Sequence, residues 1–206
     1  MTVTAAPRAD ARAFPAAPLR ATVALVLGAM FAAPHAMAQD ARLVPGDTAV
    51  TRFSGFSDIG ARSLNQGATV AEVLEIGAGD EVQLQPNILA TMTAAEIGQV
   101  FATTVAGEPA AFYFAATSAY GLYRDDDGWA PGMWGTDGGP GTVWRLAPGG
   151  DPAVFATIKT GERENGGAAL GDLAYDSSHN RLFVSDLSSG MIHALDAQSG
   201  ADLGTF

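Results

Sequence analysis

The 206-residue sequence contains no cysteine. That excludes a disulfide scaffold, a thiolate zinc site, an iron–sulfur cluster and a cysteine nucleophile. Lysine is almost as scarce, with Lys159 alone, and eleven basic residues stand against twenty-two acidic ones for a formal net charge of −11. A chain of that sign repels phosphate backbones, so no nucleic-acid partner is expected. The sequence also lacks Gly-x-Ser-x-Gly, His-Glu-x-x-His, a phosphate loop ending in Gly-Lys-Ser/Thr and any Asn-x-Ser/Thr sequon. The common signatures of serine hydrolases, zinc proteases and nucleotide binders are therefore missing. Charged residues make up 16% of the chain and hydrophobic ones 48%, which is the balance of a globular protein and not of a disordered acidic tail.

What is present begins with an address. Arg8, Arg12 and Arg20 precede the apolar run Ala21–Ala33, which is followed by Pro34 and the small-x-small triplet Ala36-Met37-Ala38. Basic, apolar and small-residue regions in that order predict a secretory signal peptide over residues 1–38. The apolar run is too short to span a bilayer comfortably, and no later segment is apolar enough to do so, so no integral membrane segment is expected after cleavage. Cleavage would remove three arginines and one aspartate, taking the net charge from −11 to −13. The expected location is a bacterial periplasm or the medium.

From Gln39 onward, apolar residues come in short runs divided by Gly, Pro, Asp, Asn and Ser, with only a weak helical period around Val70–Ile76. Ala111–Ala115, Thr142–Leu146, Val154–Ile158, Arg181–Ser185 and Met191–Leu195 are rich in β-branched and aromatic residues, which is a strand signature. Thr142–Leu146 alternates polar and apolar, as a strand with one buried face should. An internal repeat then selects among all-β architectures. Leu170–Asp176, Leu182–Asp186, Gly190–Asp196 and Ala201–Phe206 echo Ile97–Phe101, Phe112–Thr117, Gly141–Leu146 and Pro152–Ile158. The offset reads as 73 residues at the first strand and 49 at the third, which puts an insertion between 121 and 140 of the upstream copy. Four strands in one order, twice, predict four-stranded antiparallel β-propeller blades. The expected layout is an N-terminal β segment over 39–95 (a divergent blade or a ring-closing strand), a blade over 96–158 and a second over 159–206. Gly98 and Gly171 are expected where first strands crowd together, and Tyr113, Phe114, Trp144, Phe183 and Ile192 are expected to fill the space between blades.

The run LGDLAYDSSHNRLFVSDLSSGMIHALDAQSGADLGTF, with IGQVFATTV and GTVWRLAPGG upstream, resembles blades of secreted bacterial propellers of the NHL, YVTN and regucalcin/gluconolactonase superfamily. The likeness covers about residues 96–206. It implies a fold more than a function, because propellers host many chemistries. Closed propellers have about four to eight blades, so an incomplete propeller and further blades after Phe206 are the expectation. In the lactonase branch the likeness implies acidic and amide metal ligands at the channel mouth, one of them in a Pro-Asp-Gly start of a first strand. Here that position falls on Gly171, so this ligand does not carry over, although Asp172 and Gln99 remain channel-mouth candidates or plain strand-end residues.

Other candidates follow from residue chemistry. Asp125-Asp126-Asp127-Gly128 offers hard oxygen ligands and a glycine turn for a divalent metal such as calcium, with Asp125 and Asp127 as ligands. An EF-hand register fails at Tyr123 and Trp134, which leaves a loop-specific calcium site or a solvated acidic turn. The insertion carries Trp129, Met133 and Trp134, which read either as an exposed binding surface or as a cover packed over the blade edge. His179 falls in a turn, and His193 falls mid-strand, facing solvent or a neighbouring blade. Asp186 and Asp196 at strand ends suggest hydrogen bonds to turn amides. The functional expectation is an exported propeller that binds a protein, a glycan or a small molecule through its loops. The alternative is a metal-dependent lactonase with its site at the channel.

Overall fold

A computed structural model describes residues 42–59, 63–77, 85–125, 128–167 and 169–206. The expected signal peptide lies outside the described residues. In chain order the elements are β1 (Asp47–Thr51), β2 (Phe56–Asp58), β3 (Ser63–Leu64), β4 (Thr69–Glu75), β5 (Asn87–Thr93), α1 (Ala94–Ile97), β6 (Val100–Ala106), β7 (Ala111–Ala116) and β8 (Arg124–Asp125). They continue with β9 (Gly128–Trp129), β10 (Thr142–Leu146), β11 (Pro152–Thr157), β12 (Lys159–Thr160), β13 (Arg163–Glu164), β14 (Leu170–Asp176), β15 (Arg181–Asp186), β16 (Met191–Asp196) and β17 (Asp202–Thr205). The described chain is thus mostly β, with one four-residue helix. Among the described residues no helix is long and apolar enough to cross a membrane.

Three larger sheets, all antiparallel, carry the architecture. The first orders β1-β4-β5, the second β6-β7-β10-β11 and the third β14-β15-β16-β17. The second and third have the same meander order, and their registers show which positions correspond. Val105 pairs with Phe112 as Tyr175 pairs with Leu182, and Trp144 pairs with Phe114 as His193 pairs with Val184. The offset is therefore 70 residues on the first two strands and 49 on the third, so the insertion adds 21 residues. The 73-residue offset expected at the first strand is corrected by three positions. Its source was the match of Gly98 to Gly171, which have different jobs. Gly98 ends α1 at φ +71, whereas Gly171 lies within β14 beside a bulge shared by both first strands, between Val100 and Thr103 and between Leu170 and Leu173.

The sheets stack through side chains that alternate along each strand. On β7, Phe112 and Phe114 pack with Val70, Ala71, Val73 and Met92 of the first sheet. Tyr113 and Ala115, pointing the other way, pack with Leu170, Leu173, Leu182 and Val184 of the third. All six residues of β7 are consequently buried, as in a strand covered on both faces. The same holds for β10, where only Arg145 retains partial exposure, so the expected one-sided burial of Thr142–Leu146 is replaced by burial on both sides. Of the expected filling residues, Tyr113, Phe114 and Trp144 are buried, but Phe183 is only half-buried and Ile192 is exposed. Those two lie on the face of the third sheet turned away from the second.

The segment over 39–95 supplies the first sheet. Thr51, at the end of β1, donates its hydroxyl to the carbonyl of Phe101 near the start of β6. The backbone N–H of Ser54 reaches Gln99 Oε1 further back along the same strand entry. Pro86 precedes β5 and costs that sheet no ladder bond.

Candidate functional site

The hairpins of the third sheet share one turn chemistry. Asp176, Asp186 and Asp196 each close a strand and accept backbone N–H bonds two or three residues on, from Ser178, from Ser188 and Ser189, and from Gln198 and Ser199. Each turn ends four residues after the aspartate in a left-handed residue: Asn180 at φ 52, Gly190 at φ 74 and Gly200 at φ 75. The carboxylates of Asp186 and Asp196 are thus turn anchors, as their strand-end positions suggested. Side-chain and backbone hydrogen bonds from Ser199 hold the Asp196 carboxyl below its ordinary pKa. For Asp186 burial pushes the pKa up, but hydrogen bonds from Ser189, Ser188 and Asn165 outweigh it and the net shift is downward.

Sequence reasoning misjudged His193. Its solvent-facing alternative is overturned, because it is buried on the face of β16 that covers the second sheet, at the position Trp144 takes in the other copy. Its Nδ1 lies 2.7 Å from Asp202 Oδ2, and its Nε2 lies 3.8 Å from Asp186 Oδ2 without a hydrogen-bond partner. Asn165 Nδ2 donates to Asp186 Oδ1 at 2.8 Å, and Ser188 Oγ donates to Asn165 Oδ1 at 2.7 Å. The cluster clasps β15, β16 and β17 together. No nucleophilic hydroxyl is hydrogen-bonded to the imidazole among the described residues, so the cluster reads as a structural clasp. A periodic reading of β16 that placed His193 in step with Leu195 would have found its burial. His179 stays in its turn, where Nδ1 sits 2.6 Å from Asp176 Oδ2.

The channel-mouth pair does not survive as a pair. At the corrected offset Gln99 corresponds to Ala169 and Asp172 to Ala102. Gln99 is fully buried, with Nε2 donating to Ser54 Oγ at 3.0 Å and to the Gly132 carbonyl at 2.9 Å, so its amide is consumed in bracing the insertion. Asp172 is exposed. Its own N–H donates to Ser185 Oγ at 2.7 Å, and its carboxylate accepts from the Leu173 N–H.

The insertion is a cover. Met133 and Trp134 are buried with Leu64, Ala116 and Ala169, which removes both from any exposed binding surface. The reason is close approach at glycines: a Cβ on Gly98 would lie 2.3 Å from the carbonyl carbon of Trp134. Trp129 is half-buried, edge-on to Trp134 at 5.3 Å between ring centres, with the Arg124 guanidinium 4.4 Å above its ring. Of the calcium candidates, Asp127 and the side chain of Asp125 lie outside the described residues. Among the described residues no three His, Asp or Glu side chains converge so as to hold a metal ion.

A site that sequence reasoning did not single out lies at the other end of the sheets. Hairpin turns of the second and third sheets border a cleft of about 670 Å³ lined by Glu108, Tyr113, Arg145, Asp151, Asn180 and Gln198, among others. Arg145 and Tyr113 are cross-strand partners on β10 and β7, and Arg145 Nε donates to the Tyr113 hydroxyl at 3.2 Å. That hydroxyl donates in turn to the carbonyl of Ala197 in the third sheet at 3.3 Å. Burial raises the Tyr113 pKa, and Arg145 opposes the shift only in part, so the phenol stays protonated and keeps its donor role. Phe155 packs edge-on against the Tyr113 ring at 4.9 Å. The guanidinium is thereby fixed through one nitrogen, and among the described residues it has no ion-pair partner. A second cleft, of about 510 Å³, opens between the first and second sheets, and Asp151 borders both. The sequence signal for the larger cleft was a single charged residue inside an otherwise apolar strand, Trp144-Arg145-Leu146. No protein-family model matches this chain, and no curated protein or solved structure matches it either.

Proposed function

We propose that this chain is an exported β-propeller protein that binds ligands in clefts at the turn ends of its sheets. The observation that carries the reading is the cleft between the two repeated meanders, with an anchored but unpaired guanidinium among its lining residues. Its volume falls within the roughly 300–1,000 Å³ of small-molecule sites. The propeller part is supported by the in-register repeat and by the stacking of one meander on the next, which is how blades bury the faces they cannot bury alone. Export rests on the basic, apolar and small-residue order of residues 1–38.

The test is thermal melting of the purified chain against a panel of sugars, organic acids and amino acids. A saturable rise in melting temperature that disappears in Arg145→Met is the expected outcome. Absence of any shift across the panel, or shifts equal in the variant, would defeat a ligand-binding role for this cleft.

A further inference from the structure

The charges around the larger cleft narrow its ligand. One guanidinium, Arg145, and two carboxylates, Glu108 and Asp151, line it. A simple anion would gain the arginine and be repelled by both acids. A simple cation would gain the acids and be repelled by the arginine. Among the described residues neither acid is ion-paired with Arg145, so the opposite charges are held apart instead of cancelling across the cleft. A molecule that carries both signs satisfies all of them at once.

Resting on the binding role above, we propose that the cleft takes a zwitterionic α-amino acid. Its carboxylate pairs with the free edge of the Arg145 guanidinium, a geometry for which the planar fork is suited. Its ammonium faces the rim acids Glu108 and Asp151. Asn180 and Gln198 contribute amide side chains able to bond a polar side chain, while Phe155 and Val154 line the apolar part of the wall. Tyr113 is a positioning residue: it holds Arg145 through Nε and links it to the third sheet through the Ala197 carbonyl.

Isothermal titration of the intact chain with L-leucine, L-glutamine and L-phenylalanine, each beside its N-acetyl and its amide derivative, tests this. At least one free amino acid should bind, and both derivatives of it should bind more weakly, because each removes one of the two charges. Arg145→Lys should weaken the free amino acid on the order of tenfold, and Arg145→Met up to about a hundredfold. The double substitution Glu108→Gln with Asp151→Asn should weaken the free amino acid but leave the N-acetyl derivative unchanged or improved. An N-acetyl derivative that binds as tightly as its parent overturns the zwitterion assignment while leaving the cleft a binding site for anions. Equal binding by wild type and Arg145→Met, with both variants folded by circular dichroism, overturns the site itself. If none of the three amino acids binds while another member of the melting panel does, the ligand class is wrong and the binding role stands.

Discussion

Single residues in this chain earn their places through what surrounds them. Asp186 is the clearest case, because four hydrogen-bond donors converge on a buried carboxylate: three from Ser188 and Ser189 backbone and hydroxyl groups and one from Asn165. Its folded pKa lies below its ordinary value, so its stabilisation is fully present above the unfolded carboxylate range and is lost as pH falls through the depressed folded value. Urea midpoints measured from neutral pH downward should therefore fall on acidification, and Asp186→Asn should be less stable at neutral pH with a flatter acid limb. An unchanged acid limb in the variant would show that the carboxylate is not the group responsible. Arg145 was legible only as a charge in an apolar strand. Its anchoring by Tyr113, 32 residues away, depends on strand pairing that no local pattern announces.

At the scale of elements, the hairpin turns were the most readable part of the sequence. Asp followed by small polar residues and Gly or Asn specifies a left-handed turn exit locally, and all three turns of the third sheet obey it. Glycine matters in two different ways here. At Gly190 a Cβ would meet nothing within 4 Å, so Gly190→Ala costs only the left-handed backbone, about 1–2 kcal/mol. At Gly98 the same change adds a collision with the backbone of Trp134, so its cost should exceed that of Gly190→Ala by roughly 1–3 kcal/mol. Urea unfolding of the two variants side by side checks the order, and equal losses would mean that the insertion yields freely at Trp134. First strands were harder to place than turns, because a bulge shifts the pairing and glycines at neighbouring positions mimic a match. The insertion was ambiguous for a related reason: aromatic residues among Gly, Pro and Asp look alike whether they face solvent or lie under a loop.

Across the whole molecule, the two four-stranded meanders of the same strand order treat corresponding faces unequally. Val143 of the second sheet is fully buried against the third, while its counterpart Ile192 is 46% exposed. Phe206, paired with Ile192, extends that open face and packs on Phe183 across it. An apolar sheet face of this kind promotes association. The chain should therefore show a concentration-dependent mass by light scattering, reduced to that of one chain by Ile192→Lys with Phe206→Lys. A monomer at all concentrations in the unsubstituted chain would show that this face is tolerated in water.

Local chemistry was enough to establish the all-β class, the order of strands in the two meanders and the aspartate turns. Each of these depends on neighbours within a few residues: side-chain alternation, β-branched content and turn residues with left-handed backbones. The offset of 70, the burial of His193, the inward turn of Met133 and Trp134, and the cleft around Arg145 arose from contacts between residues tens of positions apart. Packing one sheet on another selects which face of each strand is covered, and a strand's own pattern is silent on that choice once both faces are apolar.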